Sequence, residues 1–165
     1  MPEDAITSET SQPDPAKISN PVPGYDVEST PPGHTKRGVD LAGHKGLLDQ
    51  LSQILGSDNV QADDDSRAFF AEDTFRSFEK PIGGISPTSV EDLSRAAAAC
   101  HDARIALVPR GGGMSYTDGY LHTQPDSITV DTQKMDRILE INEDDMYVTV
   151  ECGCTWMALN DALKE

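Results

Sequence analysis

Apolar positions recur at helical spacing in three places along this chain and at strand spacing in five. Leu47, Leu48, Leu51, Ile54 and Leu55 fall at i, i+1, i+4, i+7 and i+8, which predicts an amphipathic helix over Gly46 to Leu55, stopped by Gly56. Thr88 and Glu91 have the spacing of a capping box, and Val90, Leu93, Ala96, Ala97 and Cys100 carry that helix to about His101. Thr155 caps a third helix whose Trp156, Leu159, Ala162 and Leu163 share one face. Ile82 to Ser86, Ile105 to Val108, Ser127 to Asp131, Arg137 to Asn142 and Met146 to Glu151 read as strands, with Glu143 to Asp145 as a polar turn between the last two. Asp63 to Asp65 lack the spacing, glycine and closing Glu of a calcium loop and read as a solvated turn or helix cap.

Composition divides the chain. Seven of the eleven prolines lie in the first forty residues, where Tyr25 is the only aromatic. That stretch cannot bury enough apolar surface to offset its ordering entropy, so residues 1 to about 40 are expected to be a disordered tail. The remaining length suits one modest core. The chain stops inside or just after the last helix, which reads as a partial domain.

Charge and cysteine usage exclude several classes. Twenty-nine acidic against thirteen basic residues give a net charge of −16, a field that repels nucleic acid and anionic membranes. No apolar run reaches the roughly 18 residues of a membrane span. The acidic start MPEDAITSET lacks the pattern of a secretory or transit signal, so the cytoplasm is the expected compartment. Cys100, Cys152 and Cys154 make an odd count with no zinc or redox spacing, and they read as small packing residues in a reduced compartment, with no metal site.

The chemistry concentrates in Val108-Pro109-Arg110-Gly111-Gly112-Gly113-Met114-Ser115-Tyr116-Thr117-Asp118-Gly119. Three adjacent glycines let the backbone turn sharply and approach a ligand, and successive amides in such a turn converge on an anion. Arg110 adds positive charge, and Ser115 and Thr117 add hydroxyls, so the loop suits a pyrophosphate. It is neither common nucleotide loop: Tyr116 stands where the Rossmann fingerprint needs glycine, and no G-K-[ST] follows. Read alone, the loop is equally compatible with a plain surface turn.

With its neighbours the loop resembles a known family. The ordered stretches KPIGGISPTSVEDLSRAAAACHDARIALVPRGGGMSYTDG and SITVDTQKMDRILEINEDDMYVTVECGCTWMALNDALKE are similar to the flavoproteins that share the FAD-binding domain of p-cresol methylhydroxylase and vanillyl-alcohol oxidase, D-lactate dehydrogenases and glycolate oxidase subunits among them. The resemblance covers about residues 80 to 165, and more loosely 44 to 80. It implies an α+β fold, with residues 44 to 165 forming the N-terminal subdomain and the start of the second subdomain of a PCMH-type FAD-binding domain, and FAD lying between the two. It also implies that Arg110 to Ser115 wrap the FAD pyrophosphate through backbone amides, that the turn through Thr117 to Gly119 runs close by, and that Glu151-Cys152-Gly153 passes near the nucleotide. The cofactor-binding set is therefore Pro109, Arg110, Gly111, Gly112, Gly113, Met114, Ser115, Tyr116, Gly119 and Gly153.

Two departures matter. Met114 stands where some members attach FAD through a histidine, so FAD is expected to be noncovalent at this loop. The family's enzymes are several times longer, which points to a second chain supplying the rest of the domain and a substrate cap. The resemblance implies oxidation of an alcohol or 2-hydroxy acid. The alternative is a noncatalytic remnant or interaction subunit that needs a partner. His34, His44, His101 and His122 form no triad or metal spacing, and no residue is assigned a catalytic role.

Overall fold

The structure is a computed structural model and describes residues 40–73, 79–115 and 117–164. The expected tail therefore falls almost wholly outside the described residues, as does Tyr116. Helix α1 spans Leu41–Leu55, starting earlier than its apolar spacing predicts because the Asp40 carboxylate accepts the Gly43 amide at 3.2 Å as an N-cap. Strand β1 (Val60–Gln61) and helix α2 (Asp64–Phe70) follow, then β2 (Gly83–Ile85), α3 (Val90–Asp102), β3 (Ala106–Arg110) and β4 (Ser127–Asp131). A hairpin of β5 (Ile138–Asn142) and β6 (Tyr147–Val150) leads to α4 (Trp156–Ala162).

The first four strands form one sheet in the order β1-β2-β4-β3, in which β2 and β3 both run parallel to β4. Thr129 of β4 lies opposite Gly84 on one side and Val108 on the other. Strands that run parallel within one sheet need crossover connections, and α3 supplies the one from β2 to β3, which flank β4. Leu47, Leu51 and Leu55 of α1 pack with Ala96, Ala99 and Cys100 of α3 against Ile82, Ile85, Ile128 and Val130. Burying each large aliphatic side chain of this set contributes about 1.5–3 kcal/mol. Side chains alternate along a strand, so Gly84, next to core-facing Ile85, faces the other way, where it meets the Phe70 ring of α2.

Local expectations at α3, α4 and Cys152 shift, and the one at Asp63 narrows. The N-cap of α3 is Ser89, whose hydroxyl accepts the Asp92 amide at 3.1 Å, and Thr88 instead approaches the Asp92 carboxylate at 3.4 Å. With that register Val90 is exposed, and Ala99 rather than Ala97 completes the buried face. Asp63 is the N-cap of α2, accepting from Ser66, so of the two readings of the acidic run the helix cap holds. The shared face expected for α4 is not covered among the described residues: Leu159 is buried, while Trp156 and Leu163 are exposed. Cys100 sits in the core, where burial pushes its thiol up to about 11, whereas Cys152 is exposed and so does not serve as packing.

The β5–β6 hairpin forms a separate two-stranded antiparallel sheet with a bulge between Ile138 and Glu140. Its base is tied by Glu151, whose two carboxylate oxygens accept the Arg137 guanidinium at 2.6 Å and the Arg137 amide at 3.0 Å. These bonds hold the Glu151 carboxyl below its usual range. The four-stranded sheet and this hairpin are the two units whose junction positions the site.

His122 provides a measurable property of the fold. It is fully buried, with Nδ1 2.7 Å from Ser127 Oγ and Nε2 2.8 Å from Thr129 Oγ1. The Ser127 hydroxyl donates its one proton to the Gln124 carbonyl, so it accepts from His122 Nδ1–H, and Nε2 accepts from Thr129. This neutral tautomer satisfies every atom, and desolvation lowers the histidine pKa to about 4. The unfolded chain takes up that proton near pH 6.5, so the contribution is complete above about 6.5 and is lost as pH falls toward 4. Urea melts are expected to show a loss of about 2 kcal/mol between pH 7 and pH 5 that is absent in His122→Asn. An identical loss in the variant would assign the effect to other groups.

Candidate functional site

The glycine-rich loop leaves the end of β3, the edge strand of its sheet, where the missing amide of Pro109 is tolerated. Pro109 and Arg110 thus belong to the strand, and the turn proper starts at Gly111. Three carbonyls at this loop are committed to the protein. The Arg110 carbonyl accepts the Thr132 amide at 3.0 Å, the Gly111 carbonyl accepts Gln133 Nε2 at 3.4 Å, and the Gly113 carbonyl accepts the Tyr120 hydroxyl at 2.9 Å. Its donors are not: the amides of Gly111, Gly112, Gly113, Met114 and Ser115 make no hydrogen bond to another described residue. A turn whose amides are spare carries partial positive charge where those amides are exposed.

The three glycines have different reasons to be glycine. Gly113 has φ of +69°, and a Cβ there would overlap the Arg110 guanidinium, so the fold requires it. At Gly111 and Gly112 a Cβ would meet nothing within 4 Å. The packing of the chain itself therefore does not require glycine at either position.

Beyond the turn, Ser115 Oγ accepts the amides of Thr117 and Gly119 at 3.2 and 3.3 Å and lies 3.3 Å from Thr117 Oγ1. Ser115 and Gly119 are therefore brought together in one compact loop, in which the serine organises the backbone. Asp118 holds a left-handed conformation with φ of 58°. Met114 is 76% exposed and projects from the loop.

The turn faces the segment that follows β6 across a groove of about 480 Å³. Gly112 and Gln133 line it together with Cys152 to Trp156, and Asp136 and Ala158 complete the lining. Gly153 is seated by backbone packing: its amide donates to the Met135 carbonyl at 2.7 Å, and a Cβ would press on the carbonyls of Thr132 and Met135. Gln133, Asp136 and Trp156 are lining residues that sequence reasoning did not select. They had no loop signature, and only the fold of the 132–136 turn against residues 151–155 brings them to the groove.

His122 lies in the interior with both ring nitrogens engaged, which leaves it no role at this surface. Among the described residues no group of histidines, cysteines or carboxylates could hold a metal ion, and no helix is long and apolar enough to cross a membrane.

Comparison with known proteins places this arrangement. Residues 81–165 match the family model described as FAD binding domain. The chain is 32% identical over 125 residues to the mitochondrial D-lactate dehydrogenase (cytochrome) of Arabidopsis thaliana, covering 73% of this chain and 22% of that protein. It is 28% identical over 110 residues to a glycolate oxidase subunit of Bacillus subtilis, covering 66% of this chain and 23% of that one. The fold matches that of p-cresol methylhydroxylase crystallised with substrate, with a TM-score of 0.68 at 20% identity, over 79% of this chain and 26% of the other. The chain thus spans about a quarter of the length of the relatives it matches.

Proposed function

The chain belongs to the FAD binding domain family, and on that footing we propose that it forms the diphosphate-binding part of a flavin-dependent oxidoreductase that oxidises an alcohol or 2-hydroxy acid. Residues 44 to 165 are read as the front portion of that domain. The observation that carries the site is the pairing of spare amides from Gly111 to Ser115 with the open space at Gly111 and Gly112. A diphosphate accepts hydrogen bonds and donates none when ionised, which matches a turn with a run of spare amide donors.

Bound FAD would supply the two-electron acceptor for a substrate C–H bond; the protein's part is to bind, orient and exclude water. The amides of the turn would hold the diphosphate, and Cys152 to Thr155 would form the facing wall of the groove. Asp136 would repel phosphate and could accept a hydrogen bond from a sugar hydroxyl of the nucleotide. Met114 has a thioether, which cannot form the bond a ring nitrogen forms with a flavin methyl group, so attachment at this loop is noncovalent. Substrate contacts and the remainder of the flavin site would come from a second polypeptide or from a longer form of this one.

Titration of the chain with FAD, followed by flavin fluorescence, tests the reading. Saturable binding is expected, with ADP competing because it carries the same diphosphate, and riboflavin failing to compete. Acid precipitation should release all of the flavin. Competition by riboflavin but not by ADP would move the site away from the turn.

A further inference from the structure

Arg110 is unusual among the charged side chains of this chain. It is 7% exposed, yet its Nε and Nη1 have no hydrogen-bond partner, and no described carboxylate forms an ion pair with it. Its guanidinium carbon lies 4.5 Å from the centroid of the Phe69 ring and 5.4 Å from that of Tyr120, so aromatic faces are its principal compensation. The same guanidinium lies against Gly113, directly beneath the turn.

A buried lysine or histidine in this setting would shed its proton. Arginine does not, because a guanidinium keeps its proton in proteins. The charge is therefore permanent, and burying it without an acceptor opposes folding. Buried polar groups in folded proteins nearly always have partners, and one that does not calls for a specific explanation, a bound ion among them. The turn above Arg110 offers spare donors and open space on its other side.

The geometry points to Arg110 as a positioning residue for the diphosphate: a fixed cation under the glycine turn whose charge the protein leaves largely unpaired and an anion on the turn offsets. This inference rests on the diphosphate reading of the turn and adds to it a side chain that acts from beneath, through the field and through Gly113, without touching the ligand.

Opposite movements of stability and affinity test it. The full chain, Arg110→Met and Arg110→Lys are compared for melting temperature without ligand and for binding of FAD and of inorganic pyrophosphate. Methionine keeps the length and the contact with both rings but removes the charge. The expected result is a melting temperature of Arg110→Met at or above that of the parent, with both ligands bound about 10- to 100-fold more weakly. Arg110→Lys should recover part of the affinity. Unchanged affinity in Arg110→Met overturns the inference. So does a fall in melting temperature together with affinity in both variants, which would make Arg110 a structural prop. Pyrophosphate binding that depends on Arg110 without any FAD binding would uphold the role of Arg110 while removing the flavin reading. Failure of the parent to bind either ligand would remove both.

Discussion

Gly112→Asp is expected to weaken FAD binding by more than about 100-fold while leaving the ligand-free melting temperature within about 2 °C of the parent. Gly112 is exposed, has no positive φ, and a Cβ there would meet no atom within 4 Å, so the substitution costs the fold little. The aspartate would place a carboxylate among the spare amides of the turn, satisfying them and repelling a diphosphate. Two like charges about 4 Å apart near a protein surface oppose each other by about 4 kcal/mol, enough for the stated loss after screening. Gly112→Ala should show a smaller loss of the same kind. Fluorescence titration and a thermal melt decide it: undiminished affinity would show that the diphosphate is not held here, and a large fall in melting temperature would show that the glycine serves the fold.

Gly153→Ala should divide the other way. Its Cβ would press on the Thr132 carbonyl and lie 2.8 Å from the Met135 carbonyl and 3.0 Å from the Gln133 carbonyl carbon. All three are main-chain atoms, so no rotamer change relieves the contact, and the Gly153 amide bond to Met135 at 2.7 Å would be strained with it. Overpacking of this kind costs about 1–3 kcal/mol and sometimes more. A fall in melting temperature of roughly 10 °C is expected. Affinity for FAD should then fall as a consequence of the displaced groove wall, and it should recover in part at low temperature. A variant that melts like the parent but has lost FAD would mean that the ligand, rather than residues 132–135, requires the missing side chain.

The two glycines were indistinguishable as letters. Both stood in the set selected for the cofactor, Gly112 through the triplet and Gly153 through the resemblance. Gly113 belongs with Gly153 in being demanded by the fold, for its positive φ and for the guanidinium beneath it. Local spacing was enough for other features. β4 was legible at both ends because Ile128, Thr129 and Val130 are β-branched and bounded by a turn, and the cap at Thr155 was legible because it lies three residues before Ala158, whose amide it receives. Helix α2 was not legible. Its Arg67 Nε donates to the Pro81 carbonyl at 2.7 Å and its Phe70 packs on Gly84, so its support comes from residues distant in the chain. The capping register of α3 failed by one residue because Thr88 and Ser89 are both capable caps, and packing of Ala96, Ala99 and Cys100 chose between them.

The three helices and five strands marked by periodicity, and the bare backbone of the turn, were properties of the sequence alone, since side-chain periodicity and the lack of a Cβ need no partner to exist. Which glycine the packing demands, which residues line the groove, and where the charge of Arg110 resides were decided only by tertiary structure. Each depends on groups from Phe69, Tyr120 and residues 132–136 meeting the turn across long separations, and no local pattern encodes such a meeting.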